Sequence, residues 1–191
     1  SLLSAFSSSA DGRYIAFASE ADNLAASDTN GFRDVFVRDL ATGTNSLVSA
    51  DASGLTGNGI PYEPAISGDG RYVAFTSGAT NLVASDTNKA TDVFVRDLQS
   101  RTTVLASLRA NGTGAANSNS YSPTFSTDGR WLLFRSQAKD LASGSFSGSE
   151  NLFLRDLQLG SNTALTTAGA FAGSMRPSGR FVAFVGGIPG V

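Results

Sequence analysis

The sequence predicts an all-β fold, a β-propeller of four-stranded antiparallel blades, and three observations lead there. A seven-residue run occurs three times, as Asp11–Phe17 (DGRYIAF), Asp69–Phe75 (DGRYVAF) and Asp128–Phe134 (DGRWLLF). A second run follows each at a constant offset of 23 residues: Asp34–Leu40, Asp92–Leu98 and Asn151–Leu157. The repeat is therefore 58 and then 59 residues long, the signature of a unit that cannot bury its own faces and must stack on its neighbours. The third observation is the alternation inside the runs. Val73 and Phe75 fall on one face and Tyr72, Ala74 and Thr76 on the other, which is strand periodicity.

The elements of one unit follow in order. Pro64-Ala65-Ile66-Ser67 reads as the opening strand, since proline is tolerated at a strand's first position. The Gly-Asp-Gly turn comes next, with glycine supplying positive φ, and the following Arg is placed to pair with a repeated Asp. Arg71–Ser77 is the second strand, Asp92–Leu98 the third, and the β-branched run Thr102–Ser107 the fourth. A four-stranded unit with strong turns and no helical spacing is a propeller blade. The predicted blades cover residues 1–50, 60–108, 119–167 and, in part, 170–191, where Ser178-Gly179-Arg180-Phe181-Val182-Ala183-Phe184 opens a fourth copy. One domain over residues 1–191 is expected, as an incomplete propeller or a fragment of a longer one. Its open ends predict self-association through uncovered blade faces and edges.

Composition excludes several functions. The 191 residues are 41% hydrophobic, enough for a sizeable core, and the net charge of -2 gives no basic surface for nucleic acid. No run approaches the roughly 18 apolar residues of a membrane span. Cysteine and histidine are both absent, which removes disulfides, thiolate zinc sites, cysteine nucleophiles and the Ser-His-Asp triad. Carboxylate chemistry and oxygen-ligand metal binding remain open.

The opening proline, the Ser-x-Asp-Gly-Arg-Tyr-Val-Ala-Phe run and the Asp-Val-Phe-Val-Arg-Asp-Leu run together resemble the TolB-like propeller repeat, a relative of WD repeats found in bacterial secreted and periplasmic proteins. The resemblance covers nearly the whole chain. Phe6 stands where Pro64 and Pro123 stand, Ser178 replaces the turn Asp, and there is no Trp-Asp dipeptide. The resemblance implies the fold and a periplasmic or secreted location, and only weakly a function.

Between the second and third strands lies the one constellation with evident chemistry. Asp28, Asn30 and Asp34, repeated as Asp86, Asn88 and Asp92, have the spacing of oxygen donors in a calcium loop, although no EF-hand Glu or flanking helix is present. The competing reading makes them Asx turns, with Asn30 and Asn88 in left-handed backbone and Asp34 and Asp92 capping the next strand. In the third blade the aligned stretch, Ser145 to Asn151, has lost the first Asp and the Asn and should not bind. The Arg-Asp dipeptides Arg38-Asp39, Arg96-Asp97 and Arg155-Asp156 recur in every complete unit and read as scaffold.

The Gly- and Asn-rich connections 53–62 and 109–121 bring Asn58 with Tyr62, and Asn117 with Tyr121, towards the rim that bears the acidic loops. Polar loops presenting an aromatic suit a protein or glycan partner. The expected function is thus a non-catalytic scaffold or binding module, calcium its one candidate cofactor. The alternative is the propeller portion of a larger hydrolase, prolyl-oligopeptidase-like or a glycosidase, whose catalytic residues lie outside this chain. In a glycosidase two non-equivalent carboxylates are needed, and Glu20, Glu63 and Glu150 are the ones outside the repeat pattern.

Overall fold

The structure is a computed structural model that describes residues 6–186, apart from the side chains of residues 171 and 172. Three four-stranded antiparallel sheets follow one another along the chain: β1 (Phe6–Ser8), β2 (Tyr14–Ser19), β3 (Asp34–Asp39) and β4 (Thr44–Leu47); β5 (Pro61–Ile66), β6 (Tyr72–Ser77), β7 (Asp92–Asp97) and β8 (Thr102–Leu105); β9 (Ser120–Phe125), β10 (Trp131–Ser136), β11 (Asn151–Asp156) and β12 (Ser161–Ala164). A two-stranded sheet, β13 (Ala170–Met175) with β14 (Val182–Gly186), begins the fourth unit. Strand order within each sheet is sequential, and no helix occurs among the described residues. This is an all-β propeller of three complete blades and part of a fourth. The ends of the expected blades at residues 1 and 191 lie outside the described residues.

The blades are held by three devices that the repeat encodes. Apolar faces interleave: Val35 and Val37 of the first blade pack with Val73, Phe75 and Phe94 of the second, and Val93 and Val95 pack with Leu132, Phe134 and Phe153 of the third. Phe75 stacks on Phe94 at 5.7 Å and Phe134 on Phe153 at 5.8 Å, all four fully buried. Phe17, their counterpart in the first blade, is only half-buried, because no sheet covers that face among the described residues.

The second device is the turn. Ser67 Oγ donates to Asp69 Oδ1 (2.5 Å), which accepts from the Arg71 N–H (3.0 Å), and the same arrangement recurs at Ser9/Asp11 and Ser126/Asp128. Gly70 and Gly129 have φ of +73° and +69°, and each lies beneath the aromatic ring that follows Arg in the preceding blade. A Cβ on Gly70 would stand 2.5 Å from the Tyr14 ring, and one on Gly129 3.0 Å from Tyr72. Glycine is required here by both backbone conformation and neighbour.

Third, the arginines divide the work. Arg13, Arg71 and Arg130 pair with Asp39, Asp97 and Asp156 at 2.7–2.8 Å. The buried Arg96 instead reaches the preceding blade, donating to the Ala50 and Asp51 carbonyls (3.1 and 2.9 Å), and Asn162 does the same to Ala106 and Leu108 (3.3 and 3.0 Å). Outward from this lock the first two blades splay into a cleft of about 760 Å³.

One expectation is corrected. The inner strands begin three residues earlier than Pro64 and Pro123 suggested, at Pro61 and Ser120. A bulge separates the two halves of each, with Glu63 and Ser122 at positive φ (52° and 56°). Tyr62 and Tyr121 are consequently strand residues and not loop residues; the bulge reconciles proline, which cannot donate to the ladder, with a longer strand.

Candidate functional site

All six acidic-loop residues gather at one end of the propeller. Ser77 lies opposite Pro61 on one side and Asp92 on the other, so the inner strand starts and the third strand begins at the same level. The loop between β6 and β7 hangs from that level, as does its counterpart between β2 and β3.

Asp28, Asp34, Asp86 and Asp92 are all buried, at 6%, 0%, 5% and 0% exposure. Asp34 Oδ1 accepts from Ser49 Oγ and Asp92 Oδ1 from Ser107 Oγ, both at 2.5 Å, while the same hydroxyls accept from the Val35 and Val93 N–H groups. This fastens the second Asp of each loop to the segment just beyond the outer strand. The first Asp is different: neither oxygen of Asp28 or Asp86 has a hydrogen-bond partner, and Asp34 Oδ2 has none either. The Asn30 and Asn88 N–H groups face these carboxylates without closing a hydrogen bond.

Burial therefore raises the affinity of these groups for a proton. It pushes Asp28, Asp34 and Asp86 above the usual carboxylate range, and Asp92 up to about 7. The charges of Asp28 and Asp86 add to the rise at Asp34 and Asp92. None of the ion pairs among the described residues involves any of the four. Nor do three side chains of His, Cys, Asp or Glu converge among the described residues.

The asparagines anchor the loop. Asn88 Nδ2 donates to Asp92 Oδ2 (2.8 Å) and to the Ala116 carbonyl (2.7 Å), and its Oδ1 accepts from the Ala90 N–H (2.8 Å). Asn30 likewise donates to the Gly57 carbonyl (3.1 Å) and accepts from the Phe32 N–H (2.9 Å). They tie the loop to the segment entering the next blade. The left-handed residue is also one position later than expected, at Gly31 (φ 67°) and Lys89 (φ 58°), because the Asn side chain closes a turn around its successor.

The rim residues separate into two kinds. Asn58 and Asn117 are latches: their side-chain oxygens accept from the Thr80 and Lys139 N–H groups (2.8 and 3.0 Å), clamping each entry segment to the acidic loop or its equivalent. Tyr62 is 46% exposed, with the Arg33 guanidinium 5.8 Å from its ring centre. Tyr121 is half-buried beneath Arg135 (5.5 Å), and its hydroxyl bonds to Glu150, which also pairs with Arg135. Burial and the Glu150 hydrogen bond push the Tyr121 phenol up to about 12. Glu63 Oε2 accepts from the Ser122 N–H across the blade boundary (2.7 Å).

Arg33, Arg135 and Glu150 were not singled out as rim residues by sequence reasoning. The signal available was their failure to repeat: Arg33, Thr91 and Glu150 occupy one aligned position, and Ala18, Thr76 and Arg135 another.

The fold is that of the TolB-like β-propellers. TolB from Acinetobacter baumannii superposes with a TM-score of 0.56 at 22% identity, over 98% of this chain and 38% of that one. An oligogalacturonate lyase in complex with manganese gives 0.59 at 17% identity, over 95% and 46%. The β-propeller domain of the Trilobed protease from Pyrococcus furiosus gives 0.52 at 17%, over 88% and 44%. The chain thus spans less than half the length of each of these three. No protein-family model and no curated protein matches the sequence. Among the described residues there is no helix long and apolar enough to cross a membrane.

Proposed function

We propose that this chain is a propeller recognition module of a bacterial periplasmic or secreted protein, which binds a protein or glycan at the end bearing Tyr62 and Tyr121. The observation behind this reading is a local break in an otherwise faithful repeat. Turns, stacked phenylalanines and Arg–Asp pairs recur from blade to blade. At the inner-strand mouth Tyr62 and Tyr121 repeat but their partners do not: Arg33 lies over Tyr62, whereas Arg135 and Glu150 engage Tyr121. Scaffold contacts largely recur from blade to blade, so exposed aromatic and charged residues that change partners at one end support recognition there. Tyrosines under arginines offer flat apolar area with polar edges, suited to a sugar ring or a peptide. The envelope location rests on the family resemblance of the repeat.

The test is titration of the chain with panels of oligosaccharides and of short peptides, followed by the NMR signals of the two tyrosine rings. Saturable shifts that Tyr62→Ala and Tyr121→Ala abolish, in variants with unchanged melting temperatures, support the reading. Ligands that shift other resonances only would remove it.

A second reading places the propeller beside a catalytic domain outside this chain, and the protease propeller domain among its structural neighbours favours it. Self-association is a further part of the proposal, motivated by Phe6 and Val185 of the first and last described sheets and Phe181 immediately before β14, which are 74%, 63% and 60% exposed. Sedimentation at rising concentration checks it, and a constant monomer mass would dismiss it.

A further inference from the structure

We propose that the β2–β3 and β6–β7 loops each hold one calcium ion, ligated by the carboxylates of Asp28 with Asp34 and of Asp86 with Asp92. An acidic loop alone would be weak ground. Here the first Asp of each pair is more than nine-tenths buried and both its oxygens lack a hydrogen-bond partner. Buried carboxylates without partners are costly, and native chains pair them or give them to a metal.

The ligand chemistry selects the ion. Only oxygen donors are present, and the chain contains no histidine or cysteine, which excludes a preference for soft or borderline metals. Further ligands must come from backbone carbonyls and water, as calcium with its six to eight ligands and adaptable geometry accepts. Magnesium retains several waters in strict octahedral geometry, and a site this enclosed suits it less.

The third blade supports the assignment from within the molecule. Its loop replaces Asp86 by Ser145, Asn88 by Ser147 and Asp92 by Asn151, so both negative charges disappear together. The Lys139 ammonium bonds to the Gly148 carbonyl of that loop, and Phe146 packs on Phe153 with ring centres 5.6 Å apart, both without counterpart in the first two blades. Where the carboxylates are absent, the chain supplies its own cation and an apolar plug. Calcium in the other two loops would fix the segments that Asn30 and Asn88 tie to Gly57 and Ala116, and so brace the junctions with the following blades.

Titration of chelator-stripped protein with calcium chloride, by calorimetry and by thermal melts, tests the proposal. Two ions should bind per chain, one to each of the single variants Asp28→Asn and Asp86→Asn, and none to the double variant. At calcium a hundredfold above Kd, each occupied site should raise the melting temperature by about 5–10 °C. Superimposable melts of the unaltered chain in calcium and in chelator would overturn the proposal even if the variants fail to fold. Binding that survives in the double variant would also overturn it, and an equal response to magnesium chloride would overturn the choice of calcium.

Discussion

The loops of the first two blades bury four carboxylates that form no ion pair among the described residues, whereas the equivalent loop of the third replaces them with Ser145 and Asn151 and draws in the Lys139 ammonium. Around this difference the blades are nearly interchangeable. The contrast teaches that the loop is an independent insert: a scaffold of stacked phenylalanines and glycine turns tolerates either electrostatic solution, provided all members of a solution change together. The repeat therefore separates what every blade needs from what only some blades do.

The largest effects should fall on what the blades share. Phe75→Ala and Phe134→Ala each remove a fully buried ring from an inter-blade core, and each should cost about 3–5 kcal/mol. Phe17→Ala should cost distinctly less, its ring being half-buried. Chemical denaturation of the three variants measures this, and equal losses in all three would break the link between stacking and burial. Next comes the turn. Gly70→Ala introduces a Cβ at positive φ against the Tyr14 ring and should cost about 2–3 kcal/mol, whereas a loss under 0.5 kcal/mol would show that the ring yields freely.

The ion pairs should make the acid response of the blades alike. Arg130 holds the Asp156 carboxyl below the usual carboxylate range, and Arg13 does the same to Asp39. A depressed folded pKa contributes stability that is present above the unfolded value of about 3.9 and is lost as pH falls through the folded value. Arg130→Met should therefore lower the melting temperature at pH 6–8, and its deficit should shrink below about pH 4. A deficit constant down to pH 2 would mean that the arginine acts through its aliphatic stem alone.

The smallest effect sharpens the comparison inside the acidic loops. Lys89 occupies the left-handed position that Gly31 fills in the first blade. Lys89→Gly should relieve that strain and stabilise the chain by up to about 1 kcal/mol. A loss of similar size would show that the lysine side chain has an interaction of its own.

Much of the fold was legible in the residues. The spacing of Asp-Gly-Arg and Asp-Val-Phe-Val-Arg-Asp-Leu placed the second and third strands of each blade, because strand alternation and turn glycines are local and survive repetition. The place of the acidic loops, between the second and third strands, was legible for the same reason. The inner strands were less so: Pro64 and Pro123 suggested a late start, and the bulge that lets the strand begin at Pro61 and Ser120 is a backbone excursion with no residue type of its own.

By itself, then, the sequence determined the repeat, the identities of the second and third strands and the paired arginines, since each depends on neighbours a few residues away or at a constant offset. Tertiary structure alone decided that Asn88 grips Ala116, that Arg96 reaches Ala50, that Arg33 lies over Tyr62 and that Glu63 bonds to Ser122. These contacts span 28, 46, 29 and 59 residues and cross from one blade to the next. They follow from how one sheet is laid against another, and pattern within a single blade contains no record of that placement.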